Sequence, residues 1–136
     1  MEEAVHTVND NYDGPVAGFA DFEGKPHRYE REFDYDADEY GDIYRLTPIA
    51  DDVLTLVMEK WEIWLRWRGA FHAGHTTIET HPVLPEERPR YEELDRLVRR
   101  EIDQQKSRSF RARGYFRRNG VEWIGVVSAA ENGSSG

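Results

Sequence analysis

His72, His75, Glu79 and His81 fall within ten residues of one another. Three imidazoles and a carboxylate are a donor set for zinc or another divalent transition metal. This group is therefore the candidate centre of a metal-dependent enzyme or metal-binding protein. The spacing argues against it. His72 and His75 are three apart, but Gly74 lies between them and breaks the helix that would align them. No His-Glu-x-x-His occurs, the pattern that sets two ligands and a base on one helical face. Loop histidines, solvated or hydrogen-bonded, are the simpler reading, so no cofactor is expected and the metal is the alternative.

A second group is basic. Residues 106–118 hold six cations (Lys106, Arg108, Arg111, Arg113, Arg117, Arg118) and no acid. Arg111, Arg113, Tyr115 and Arg117 alternate onto one face of a strand, which suits phosphate contacts and base stacking. Arg113-Gly114-Tyr115 resembles the opening of an RNP1 motif, but Phe116 and Arg117 stand where that motif has a small and an aromatic residue. A chain of net charge -9 also repels a polyanion at long range. Nucleic-acid binding is thus a second alternative, and the same face could instead dock the acidic loop of this chain.

The third group is that acidic loop: Asp34, Asp36, Asp38, Glu39 and Asp42. Carboxylates at alternate positions begin an EF-hand, yet Glu39 occupies the place of its turn glycine and Arg45 that of its bidentate glutamate. Calcium binding of that type fails. Nucleophilic catalysis has little support either. There is no cysteine, no serine sits in a nucleophile elbow, and no glycine-rich phosphate loop precedes a helix.

The elements that would hold these groups follow from periodicity. Residues 1–13 read as a polar lead-in ending in a turn at Asp13-Gly14-Pro15. Val16–Phe22 and His27–Phe33 alternate as strands around Gly24, which suits a tight turn. Ile43–Pro48 reads as a third strand beyond the acidic stretch. A helix begins at Asp51 or Asp52 and ends near Gly69 or Gly74. Val53, Leu56, Val57, Trp61, Trp64, Leu65 and Phe71 form its apolar face, widened by Leu54, Met58, Ile63 and Trp67. Trp67, flanked by Arg66 and Arg68, is the tryptophan expected off the core face. A second helix starts between Pro85 and Pro89 and buries Tyr91, Leu94, Leu97, Val98 and Ile102. Asn119-Gly120 then centres a closing hairpin, with Phe116 opposite Trp123 and Gly114 opposite Gly125.

The order β-β-β-α-α-β-β predicts a single α+β domain over residues 1–130, an antiparallel sheet of about five strands packed against two helices. Residues 131–136 are expected to form a flexible tail. With 136 residues and 12% aromatics the chain can bury a core. No apolar run reaches the ~20 residues of a membrane span, and the N-terminus lacks a signal-peptide pattern. A cytoplasmic location is expected, and 15 arginines against 3 lysines fit a bacterial source.

Charge decides between the three groups. Residues 1–50 carry 13 acids and 4 bases, whereas residues 51–136 carry 14 of each. All of the imbalance lies in front. The leading expectation is therefore a non-catalytic, inhibitor- or immunity-like interaction module. It would dock a basic protein through Asp34, Asp36, Asp38, Glu39 and Asp42, without nucleic acid or membrane.

Overall fold

Strand alternation reaches further than the sequence reading allowed. In the computed structural model, which describes residues 1–129, four strands come first: β1 (Val5–Asn11), β2 (Pro15–Phe22), β3 (Lys25–Asp34) and β4 (Glu39–Pro48). Helices α1 (Asp51–His72) and α2 (Arg88–Gln104) follow, and then β5 (Phe110–Arg117) and β6 (Gly120–Ala129). The α+β class stands, with six antiparallel strands in sequence order rather than about five. The tail expected at 131–136 lies outside the described residues. No helix among the described residues is long and apolar enough to cross a membrane.

The added strand is β1, read above as a polar lead-in. Its buried position is Thr7, only 2% exposed. Thr7 Oγ1 accepts from the Phe19 amide at 3.1 Å and donates to Asn9 Oδ1 at 2.6 Å. A buried hydroxyl satisfied in this way sits in a sheet without the apolar alternation that advertises a strand.

Residues 1–51, with the chain from Ile102 onward, form one compact unit, and residues 52–101 form another. The first holds the whole sheet. Its two ends are drawn together: Glu3 and Val121 form an antiparallel bridge, N to O at 2.7 and 2.9 Å. The sheet is therefore curled. Ala20, Tyr29, Tyr44, Leu46, Ala112 and Val121 fill its concave side, with Phe22, Phe110, Phe116 and Trp123 packed against them. Trp123 reaches across this interior to donate its Nε1–H to the Asp21 carbonyl on β2, at 2.8 Å.

Two glycines make room for that aromatic core. A Cβ on Gly18 would lie 2.6 Å from the Tyr29 hydroxyl, which crosses over this glycine to donate to the Thr7 carbonyl at 2.9 Å. A Cβ on Gly114 would collide with the Trp123 ring. Gly114 is in fact the cross-strand partner of Trp123, and Phe116 pairs with Val121. The expected partners, Trp123 for Phe116 and Gly125 for Gly114, are thus displaced by two residues near the turn. The turn residues are Arg118 and Asn119, with Gly120 already opposite Arg117, and two irregularities further along β5 take up the difference.

In the second unit, α1 runs unbroken past Gly69 to His72, and Gly74 follows with a φ of +78°. Val53, Val57, Ile63 and Trp67 are its buried residues. Trp61 and Trp64 stack at 5.0 Å and are half-buried. Trp67 reverses expectation, being 4% exposed. The connector after α1 folds back over it: Trp67 Nε1 donates to Thr80 Oγ1 at 2.8 Å, and the His81 ring meets it edge-on at 4.7 Å. Flanking arginines therefore said nothing about its direction, because a non-local segment covers it. Ile63 and Val83 pack with Leu94 of α2; of the stripe predicted for that helix Leu94, Val98 and Ile102 are buried and Tyr91 and Leu97 half-buried.

Candidate functional site

His72, His75, Glu79 and His81 are all exposed, in the end of α1 and the connector. The structure does not bring them together: among the described residues no three His, Asp or Glu side chains converge as metal donors. His81 is engaged by Trp67 instead.

The basic strand β5 does present Arg111, Arg113, Tyr115 and Arg117, but each meets an acid. Arg111 binds Glu32 through two parallel bonds of 2.7 and 2.8 Å, the fork geometry that matches guanidinium to carboxylate. Arg113 donates to Asp42 Oδ1 at 2.6 Å and the Tyr115 hydroxyl to Asp42 Oδ2 at 2.9 Å. Arg117 pairs with Glu122 at 2.9 Å. The bond from Arg113 holds the Asp42 carboxyl below its ordinary value, and the Tyr115 hydroxyl is raised by the same carboxylate. Glu32 and Asp42 sit where β3 and β4 lose register, between the pairs Arg31–Tyr44 and Phe33–Tyr40. Irregularities of this kind re-aim side chains.

Asp42 is thereby separated from the rest of its acidic group. Asp34, Asp36, Asp38 and Glu39 remain at the β3–β4 tip, all exposed and without a cation partner among the described residues. The tip has a defined shape. Asp34 Oδ1 accepts the amides of Asp36 and Ala37 at 3.0 and 3.1 Å, Asp38 turns the chain with a φ of +55°, and Glu39 pairs back to Asp34. Tyr35, between the aspartates, is 86% exposed.

A neighbouring tip joins it. Tyr12, in the β1–β2 connection, is 67% exposed, and its ring lies 6.0 Å from that of Tyr40. Arg31 clamps the two tips together. Its Nε donates to the Gly41 carbonyl at 2.6 Å and its Nη1 to the Asp13 carbonyl at 3.0 Å, with the guanidinium over the Tyr40 ring. The result is one surface of carboxylates around exposed tyrosines, with Asp10 and Asp13 added from the first hairpin. Neither Arg31 nor Tyr12 stood out in the sequence, because their roles depend on two hairpins meeting. Compared with known proteins, the chain matches no family model, no curated protein and no solved structure to significance.

Proposed function

We propose that this protein is a non-catalytic interaction module that docks a basic protein partner on its joined hairpin tips. The observation that carries this reading is Tyr35. A tyrosine left 86% exposed on a hydrogen-bonded turn, among four acids with no cation partner among the described residues, has the composition of a recognition surface. Tyrosine supplies contact area at small entropic cost, and interfaces are enriched in it. The acids supply steering and specificity toward a basic surface. Asp42, neutralised by Arg113 and Tyr115, acts as an anchor for the β4 side of the surface and not as a contact.

The other readings draw less support from the geometry. The arginines of β5 would have to leave Glu32, Asp42 and Glu122 before they reached phosphate. The histidines would have to gather before they held a metal.

The test is affinity capture followed by measured binding of the captured protein. Changing Asp36 and Asp38 to Asn and Glu39 to Gln should slow association and flatten its salt dependence. Tyr35→Ala should cost about 2 kcal/mol of binding, roughly thirtyfold in Kd. Binding that ignores salt and both sets of changes would dismiss this surface.

A further inference from the structure

At the other end of these strands the curled sheet has an open mouth, and a cleft of about 410 Å³ occupies it. Phe22, Lys25, His27, Pro48, Arg108 and Phe110 line it, all within the sheet unit. We propose that this cleft binds a small organic carboxylate that also carries a hydroxyl or N–H donor. The site is separate from the hairpin tips and does not rest on the function proposed for them.

His27 is the fixed point. The residue is 7% exposed, and its Nδ1 lies 2.8 Å from the Lys25 carbonyl. A carbonyl only accepts, so Nδ1 carries the hydrogen, and the neutral ring has its lone pair on Nε2. Burial favours that neutral ring and lowers the imidazole below its ordinary value. The Lys25 carbonyl, Asp21 and Glu3 oppose the shift, and Arg108 adds to it. Nε2 has no hydrogen-bond partner among the described residues. Yet no fully buried side-chain nitrogen or oxygen among them is left unpaired. Nε2 is therefore not fully enclosed, and His27 is one of the residues that line the cleft. Phe22 and Phe110 meet the ring in T-shaped contacts, with centroids 5.7 and 5.6 Å away. An acceptor fixed in this way asks for a donor on the ligand.

Charge supplies the second requirement. Lys25 and Arg108 have no carboxylate partner among the described residues, and Arg108 is steadied by the Gln105 side chain at 3.2 Å. Among the described residues Glu23 is the only acid in the lining, which leaves that lining one net positive charge, while Asp21 and Glu3 act on His27 from outside it. A monoanion fits that balance better than a dianion, and the guanidinium fork matches a planar carboxylate. Phenyl and proline walls suit a flat apolar body between the two polar ends. The volume is that of an ordinary small-molecule site, and barrel mouths are a common place for one.

Three probes separate these requirements: 4-hydroxybenzoate has the acid and the donor, benzoate only the acid, and phenol only the donor. Each is titrated against the whole chain while the side-chain NMR signals of His27 are followed. The expected result is a saturable His27 shift with 4-hydroxybenzoate, bound about tenfold more tightly than either of the others. Lys25→Ala and Arg108→Ala alter exposed residues outside the core, and unchanged melting curves would verify the fold. Each should weaken 4-hydroxybenzoate and leave phenol alone. The proposal is overturned by an unmoved His27 at millimolar 4-hydroxybenzoate, by benzoate or phenol binding equally well, or by undiminished binding in a Lys25→Ala/Arg108→Ala double variant.

Discussion

Trp123 and the glycine beneath it show how finely single residues are matched in the sheet. The indole fills the concave side, touches Phe22 and Tyr44, and donates across to β2. It can lie there only because Gly114 has no side chain. Gly125, two residues after Trp123, has nothing within 4 Å of the position its Cβ would take. Alanine at the two glycines should therefore behave differently. Gly114→Ala forces the ring aside and should cost about 1–3 kcal/mol, the usual scale of overpacking. Gly125→Ala should stay within about 0.5 kcal/mol of the parent. Urea unfolding of both variants measures the contrast, and equal losses would mean that the indole does not rest on Gly114.

At the level of elements, what could be read from the sequence was what local pattern encodes. The α2 stripe, the first β2–β3 turn at Gly24 and the existence of the last hairpin all rest on neighbours in sequence. The departures from expectation have a common origin. The strand at Val5–Asn11 was hidden because its buried residue is a threonine satisfied by groups on two strands. The register of β5 with β6 slipped because Arg118-Asn119 makes the turn and the irregularities of β5 cannot be read from turn residues. Trp67 departs from expectation because its cover, Thr80 and His81, arrives from beyond the end of α1. The acidic tip was visible as composition, but the Arg31 clamp and the His27 cleft arise only when separate hairpins meet. The Trp67 correction has a direct consequence. Trp67→Ala should cost about 3–5 kcal/mol, as for a fully buried aromatic. Trp64→Ala, at a half-buried ring with Arg68 over its face, should cost distinctly less. Chemical denaturation orders the two, and a reversed order would restore Trp67 to the surface.

Over the whole molecule, acid should act in two steps. His27 is lowered from its ordinary 6.5, so the unfolded chain takes up that proton more readily. Its contribution to stability is present above about pH 6.5 and is lost as the pH falls toward the folded value. The carboxylates come later. Asp42 and Glu59 are lowered by bonds from Arg113 and Arg90; burial opposes the shift at Asp95, where Lys60 and Arg99 prevail. Their contributions are present above about pH 4 and fade below it. A melting temperature followed against pH should decline gently first and steeply afterwards. His27→Gln should remove the gentle decline and keep the steep one; a gentle decline that survives belongs to other groups. The bridge from Glu3 to Val121 has a consequence in time. Synthesis from the N-terminal side produces β1 well before β6, the strand that Glu3 meets. Val5, which packs against the concave core, thus waits for the β5 and β6 members of that core while both helices are synthesised. Closure of the sheet joins the most distant parts of the described chain, so it should be the slow, late event of folding, and the interval before it the period when the young chain is most open to aggregation.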